Sequence, residues 1–85
     1  MKAWYVYVVR CKDGTLYSGI TTDVVRRVAE HNDSKEGARY TRTRRPVTLG
    51  YKKRCASRSE ASKKEYALKL LTRAEKLALI KKQRR

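Results

Sequence analysis

The sequence predicts an α+β fold in which a three-stranded antiparallel sheet is flanked by about three helices, in a single domain spanning residues 1–85. Three observations support this prediction. Residues 3–10 and 15–21 are rich in aromatic and β-branched side chains and are separated by a short turn, which is typical of a β-hairpin. Residues 47–54 alternate apolar and polar side chains and predict a third strand. After residue 56, two Ser/Thr-x-x-Glu patterns each precede a helical stretch.

The turn at residues 12–14 decides which side chains of the hairpin share a face. A two-residue Asp13-Gly14 turn would put Tyr7 and Tyr17 on opposite faces. A three-residue loop, with Gly14 in the left-handed conformation of a bulge, instead pairs Tyr7 with Gly19 and puts the two tyrosines on one face. We expect the three-residue loop, because the opposite face then carries apolar residues suited to packing on helices: Trp4, Val6, Val8, Leu16 and Ile20.

A first helix is predicted directly after the hairpin. Thr22 or Asp23 can cap it, and valines at positions 24, 25 and 28 form an apolar stripe in a helix that runs to about His31. Arg27 and His31 are one helical turn apart, at the edge of this stripe. We therefore expect both side chains to lie beside buried surface.

The second half of the chain predicts a loop, a strand and two helices. Residues 32–46 contain several arginines without periodicity and predict a basic loop. The third strand alternates Val47, Leu49 and Tyr51 with Thr48, Gly50 and Lys52. The two capping patterns, which begin at Ser57 and Thr72, predict helices that end at about Leu71 and Lys82.

The charge of the chain indicates a polyanionic partner. The sequence has 23 Lys and Arg residues against 8 Asp and Glu residues, a formal net charge of +15 and a pI near 10.4. Solubility alone is served as well by mixed charges, so we favour nucleic acid as the partner. Membrane binding has less support, because only the tail at residues 77–85 approaches a basic amphipathic segment.

Neither end of the sequence carries an apolar run long enough for a signal peptide, so we expect a cytoplasmic protein. Cys11 and Cys55 are far apart in sequence and have no metal-ligand spacing. They predict two reduced, buried thiols.

Glu65 is an acidic residue in an apolar position. On the helix that follows Ser57 it projects from the same side as Ala61 and Leu68. A carboxylate there needs either a cationic partner or a metal ion. The pattern alone favours an ion pair over a metal site.

The order of these residues resembles the GIY-YIG nuclease superfamily. Residues 4–7, 16–23 and 40–42 carry its short motifs as Trp-Tyr-Val-Tyr, Leu-Tyr-Ser-Gly-Ile-Thr-Thr-Asp and Tyr-Thr-Arg, in the form found in short stand-alone bacterial proteins. Each motif is weak alone, but their order and spacing over nearly the whole chain are specific. The resemblance implies the same sheet and helices that the local patterns predict.

The resemblance also implies roles for individual residues. It matches Tyr7 and Tyr17 to the motif tyrosines, Arg27 to the phosphate-binding arginine, His31 to the helical histidine and Glu65 to the ligand of one Mg²⁺ or Mn²⁺ ion. Tyr17 is favoured over Tyr7 as the general base that takes a proton from water, and His31 would share or relay that proton. Such an ion keeps several waters, so one carboxylate is sufficient.

Two positions depart from the superfamily pattern. Tyr5 stands where the first motif has its glycine, and Ile20 stands where several larger members have a lysine beside the second tyrosine. A lysine there would stabilise a phenolate, so its replacement by Ile20 weakens the support for a tyrosine base.

Two functions therefore remain. The first is a metal-dependent endonuclease that acts on DNA in preference to RNA, on a structured, damaged or single-stranded substrate, with a partner protein supplying specificity. The second is a non-catalytic DNA- or RNA-binding module. Both predict nucleic-acid contacts by the same set of residues: Arg39, Tyr40, Arg42, Arg44, Arg45, Lys81, Lys82, Arg84 and Arg85.

Overall fold

The computed structural model describes residues 3–33 and 39–83. These residues contain three strands and four helices. In chain order they are β1 (Trp4–Cys11), β2 (Leu16–Thr21), α1 (Val24–Asp33), α2 (Arg39–Arg42), β3 (Val47–Cys55), α3 (Arg58–Leu70) and α4 (Arg73–Gln83). The predicted α+β class is confirmed. None of the helices in the described ranges is long and apolar enough to span a membrane.

The hairpin has the three-residue loop that its turn residues predict. Gly14 has a φ of 87°, the Gly14 amide donates to the carbonyl of Cys11, and the Cys11 amide donates to the carbonyl of Thr15. The register that follows pairs Tyr7 with Gly19. Tyr7 and Tyr17 therefore share a face of the sheet, as expected.

The sheet has the order β2-β1-β3, with both pairings antiparallel. Because β1 is central, the run Val6–Val9 is buried on both faces. One face packs against α3 and α4 around Val6, Val8 and Ala61. The other face, which carries Tyr7 and Val9, packs against α1. We call these the α3 face and the α1 face.

The third strand departs from simple alternation at Gly50. Val8 pairs with Tyr51 and Val9 with Leu49, so Gly50 is an extra residue that forms a bulge. A side chain at this position would meet Ile80, whose Cδ1 lies 3.0 Å from the site of the Cβ. The bulge moves Tyr51 to the α3 face, whereas Val47 lies on the α1 face.

The segment expected to be a basic loop contains the short helix α2. Four residues are too few to show helical periodicity, which explains why the sequence pattern did not reveal it. At the other end of the segment, the Arg45–Pro46 peptide is cis. The first helix also ends two residues later than expected, at Asp33.

Asn32 connects α1 to the beginning of β3. Its side-chain amide donates to the carbonyl of Val47 at 3.0 Å, and its side-chain oxygen accepts from the amide of Val47 at 2.6 Å. We call this pair of hydrogen bonds the Asn32 clamp. It fixes the end of α1 against the strand that lies beside β1.

Both predicted caps are present, although only α4 has the fully reciprocal capping box. The Ser57 hydroxyl accepts from the Glu60 amide while the Glu60 carboxylate accepts from the amide of Ala56, so α3 begins as expected. At the beginning of α4, the Thr72 hydroxyl accepts from the Glu75 amide and the Glu75 carboxylate accepts from the Thr72 amide, which completes the box.

Candidate active site

A buried chain of hydrogen bonds links the sheet to α1 and α2. The Tyr7 hydroxyl lies 2.8 Å from Nε2 of His31, and Nδ1 of His31 lies 2.8 Å from the hydroxyl of Thr41. His31 and Thr41 have no exposed surface, and Tyr7 is 1% exposed. Three polar side chains from three elements are thus buried with partners, as buried polar groups require.

Gly19 makes room for the ring of Tyr7. The two residues are paired across β1 and β2, and a Cβ at position 19 would lie 2.5 Å from the Tyr7 hydroxyl oxygen and 2.7 Å from Cζ. The Tyr7 ring therefore lies across the backbone of Gly19, where any side chain would displace it. The glycine of the Tyr-x-Gly motif has this steric explanation.

Tyr17 contacts the same histidine from β2. Its ring meets the imidazole of His31 edge to face, with the centroids 5.5 Å apart and the planes at 69°. Unlike Tyr7, Tyr17 keeps part of its surface exposed. The two motif tyrosines therefore flank His31, and Tyr17 is the one that water can reach.

Arg27 lies one turn before His31 on α1. Its Nη1 is 3.0 Å from Oε1 of Glu30, and the side chain is 24% exposed. Arg27 also lies close enough to Tyr7 to act against the rise in the pKa of its hydroxyl. The guanidinium thus extends from the buried tyrosine toward the surface.

The site keeps His31 neutral at physiological pH. Burial is the main cause that lowers its pKa to about 4, and the positive charge of Arg27 lowers the pKa further. In a neutral imidazole one ring nitrogen donates and the other accepts, so the hydroxyls of Tyr7 and Thr41 must take complementary roles.

The same environment holds Tyr7 in its protonated form. Burial raises the pKa of Tyr7, and the opposing effect of Arg27 does not cancel it. Electrostatic interactions with Tyr17 and with the carboxylate of Glu65 raise the pKa of Tyr7 further, so both residues lie within electrostatic range of the Tyr7 hydroxyl.

Glu65 lies on α3 and is only partly buried. Its side chain is 24% exposed, and Oε2 is 3.9 Å from the ammonium of the more exposed Lys69. The ion pair that the sequence pattern favoured is thus present, but its length and exposure make it weak.

The described residues contain no cluster of three or more His, Cys, Asp or Glu side chains that could enclose a metal ion. Glu65 fits a different kind of site. A partly exposed carboxylate with one loose partner can hold a Mg²⁺ or Mn²⁺ ion that keeps its waters and completes its shell with substrate phosphate. Of the predicted site residues, Glu65 is therefore the one able to bind the ion.

Two of the arginines predicted to contact nucleic acid have intramolecular partners. Nε of Arg44 is 3.1 Å from the carboxylate of Asp13, in the hairpin turn. Arg45 donates to the carbonyls of Glu30 and His31, at the end of α1. Both arginines therefore contribute to the fold, whatever their part in binding.

The remaining predicted contacts are distributed over two regions. Arg42, on α2, and Lys81 and Lys82, on α4, are exposed. Arg39 and Tyr40 are described only as backbone of α2, and Arg84 and Arg85 lie outside the described residues.

Thr41 and Asn32 are structural parts of the site that the sequence reasoning did not identify. Thr41 belongs to the Tyr-Thr-Arg motif, which was interpreted only as a basic loop, and its buried hydroxyl orients His31. The sequence signal that could have identified Thr41 is a Tyr-Thr-Arg motif that follows the helical histidine along the chain.

Comparison with known proteins identifies the family of this arrangement. A family model described as the GIY-YIG catalytic domain matches residues 3–78. The UPF0213 protein DP2720 of Desulfotalea psychrophila is 61% identical over 79 residues, which cover 93% of this chain and 72% of that protein. The UPF0213 protein SH2523 of Staphylococcus haemolyticus is 51% identical over 80 residues, covering 94% of this chain and 96% of that protein.

A solved structure has the same fold. The solution NMR structure of the protein EF2693 from E. faecalis superposes with a TM-score of 0.65 at 44% identity, and the alignment covers 99% of this chain and 88% of that chain. The resemblance found in the motifs thus extends to short stand-alone relatives and to an experimental structure.

Proposed function

The chain belongs to the GIY-YIG catalytic-domain family of the nuclease superfamily, and from this premise we propose that it is a metal-dependent endonuclease that hydrolyses DNA phosphodiester bonds. The observation that carries the proposal is the contact of both motif tyrosines with one neutral histidine, next to the arginine matched to phosphate binding.

Tyr17 is the proposed general base. Its hydroxyl belongs to the more accessible of the two rings, whereas the Tyr7 hydroxyl is buried, bonded to His31 and shifted to a higher pKa. In the reaction, Tyr17 would act as the phenolate: the oxygen of a water molecule forms the new bond to phosphorus, and the water's proton passes to the phenolate oxygen of Tyr17. The bond from phosphorus to the leaving sugar oxygen breaks, and that oxygen takes a proton from solvent.

Tyr7, His31 and Arg27 would hold the reacting groups in position. The hydrogen bond between Tyr7 and His31 fixes the orientation of the imidazole ring, against which Tyr17 packs. Arg27 would bind a non-bridging phosphate oxygen through its N–H donors, since its guanidinium is only partly buried.

Glu65 would hold one divalent ion. When bound, that ion neutralises charge on the phosphate oxygens and stabilises the leaving oxygen. The carboxylate contributes orientation, because its position on α3 is set by the packing of Ala61 and Leu68 against the sheet.

The alternative is a basic module that binds DNA or RNA without cutting it. Two observations favour this candidate: the pKa of Tyr7 is raised, and Glu65 is a single carboxylate. Neither Tyr7 nor Glu65 would supply strong catalysis alone. In that case Tyr7, Tyr17 and His31 would be kept as scaffold.

A cleavage experiment separates the two functions. The protein is incubated with labelled single-stranded, duplex and branched DNA and with matched RNA, in Mg²⁺, in Mn²⁺ and in EDTA. We expect metal-dependent cleavage of at least one DNA substrate by the wild-type protein. Tyr17→Phe should lower the rate by about 10²-fold or more, whereas Tyr66→Phe, a matched change at an exposed tyrosine of α3, should leave it unchanged.

Two results would contradict the proposal, the first for the endonuclease as a whole and the second for the role of Tyr17. One is the absence of metal-dependent product on every substrate, which would leave the binding module. The other is equal cutting by Tyr17→Phe and wild type, which would remove the proposed base.

A further inference from the structure

A groove runs along the α3 face of the sheet, on the side away from Tyr7 and His31. It consists of two adjoining cavities of about 250 Å³ and about 410 Å³, between β3 and the helices α3 and α4. Tyr51 and Lys53, on the edge strand, line both cavities. We call this feature the Tyr51 groove; its walls include Tyr51, Lys53, Lys64, Leu68, Leu71 and Lys82.

Cations from three different elements converge on the groove. Lys53 comes from β3, Lys64 from α3 and Lys82 from α4. No acidic residue is among the described residues that line it, and none of these three lysines belongs to a salt bridge recorded within residues 3–33 and 39–83. The groove is therefore a site of uncompensated positive charge.

The floor between these lysines is aromatic and aliphatic. The ring of Tyr51 is half-buried and packs beside the core, and Leu68 and Leu71 complete the apolar surface. The bulge at Gly50 is what turns Tyr51 to this face. An aromatic platform bordered by cations is the arrangement that binds single nucleic-acid strands, with bases on the ring and phosphates on the cations.

A structural explanation accounts for only part of this arrangement. A lysine on an edge strand discourages pairing with other chains, which is sufficient for Lys53. It does not explain Lys64 and Lys82, which extend from helices to the same cavities.

We propose that the Tyr51 groove is a second nucleic-acid site, which binds an unpaired strand with a base against Tyr51 and phosphates on Lys53, Lys64 and Lys82. The proposal rests on the proposed function in taking nucleic acid as the partner, and it adds a contact on the α3 face of the sheet, whereas Tyr7 and His31 lie on the α1 face. A strand held there would contact α3, the helix that also carries Glu65. The groove would thus select substrates that have an unpaired segment next to the cleaved bond.

The test compares two neighbouring lysines and two kinds of strand. Binding of a labelled twelve-nucleotide thymidine strand and of an abasic strand of equal length is measured by fluorescence anisotropy in EDTA, where no cutting occurs. Variants are Lys64→Gln, Tyr51→Leu and, as the matched control, Lys63→Gln, whose side chain is exposed on α3 and does not line the groove.

We expect the thymidine strand to bind at least about fivefold more tightly than the abasic strand. Lys64→Gln should weaken binding at least about threefold more than Lys63→Gln, since only the former would lose a phosphate contact. Tyr51→Leu, which keeps an apolar side chain, should bring the two strands to equal affinity. Titration of ¹⁵N-labelled protein with thymidine 5′-phosphate should shift amides of residues 51, 53, 64 and 68, which tests the groove without any substitution.

Several results would overturn the second site. They are equal affinity for the two strands, equal effects of Lys64→Gln and Lys63→Gln, or no amide shifts at the groove. Because binding is measured without metal, failure to cut DNA would reject the endonuclease and leave the groove proposal standing. Conversely, cutting combined with indifference to Lys64 would reject only the groove.

Discussion

His31 is the side chain that joins the two motif tyrosines into one site. It accepts or donates a hydrogen bond at each ring nitrogen and packs edge-on against Tyr17. Because it is fully buried beside Arg27, its charged form is disfavoured. The neutral imidazole is therefore a property of the fold and can be measured without a substrate.

The pKa of His31 makes stability depend on pH. The folded-state value of about 4 lies below the ordinary value of 6.5, so the unfolded chain binds more protons than the folded chain between these limits. We expect stability to fall as the pH drops from about 6.5 to about 4, by up to about 3 kcal/mol. His31 is the only histidine in the chain, so its NMR titration is unambiguous. A titration midpoint near 6.5 would contradict the buried site.

Gly19 provides a second prediction at this scale. In Gly19→Ala the new methyl group would meet the hydroxyl and Cζ of Tyr7, which is too buried to move freely. We expect a loss of about 1–3 kcal/mol in the free energy of unfolding, measured in urea, and loss of the Tyr7 and His31 contact. In a Tyr7→Leu background the same substitution should cost much less. An equal cost in both backgrounds would show that the Tyr7 ring does not lie over Gly19.

Local rules were sufficient to predict how most of these side chains are brought together, whereas their proposed roles come from the resemblance to the family. The turn chemistry and the two-residue period put Tyr7 and Tyr17 on one face, and the helical period put Arg27 one turn from His31. Thr41 could not be found in this way, because its contact with His31 depends on how α2 folds back onto α1. No periodicity in the sequence predicts that α2 packs against α1.

At the scale of the elements, the connection from α1 to β3 determines where His31 lies. The Asn32 clamp and the hydrogen bonds from Arg45 both act on the last turn of α1, directly after the histidine. The hairpin, the capped helices and the strand limits followed from the sequence because each has a local signal. The bulge at Gly50 did not, since alternation continues through residues 47–52 and the contact with Ile80 involves a helix distant in sequence.

The Asn32 clamp can be tested by substitution. Asn32→Ala removes two hydrogen bonds to the backbone of Val47. Val47 is buried, so its amide and carbonyl would lose these partners. We expect a loss of about 1–3 kcal/mol in the free energy of unfolding. Asp33→Ala, at the exposed neighbour, should change it by less than about 0.5 kcal/mol. Equal effects of the two substitutions, measured by denaturant unfolding, would mean that the clamp contributes nothing.

At the scale of the whole molecule, the chain has a formal net charge of +15 and only 8 acidic residues. Most of the described acids have capping or ion-pair roles, as Glu60, Glu30 and Asp13 do. Glu65 differs, because its only recorded partner among the described residues is the distant ammonium of Lys69. A carboxylate of this kind, within electrostatic range of Tyr7, is where the proposed ion would be bound.

The most direct test of the endonuclease is the rate of DNA cleavage in Mg²⁺ by Glu65→Gln and Glu60→Gln. Both variants remove one negative charge from α3 and keep the shape of the side chain, and glutamine at position 60 can keep the capping hydrogen bond to Ala56. We expect Glu65→Gln to cut about 100-fold more slowly than wild type or worse, because the proposed ion supplies several kcal/mol of transition-state stabilisation. Glu60→Gln should cut at the wild-type rate. If Glu65→Gln cuts as fast as Glu60→Gln, Glu65 does not hold a catalytic ion.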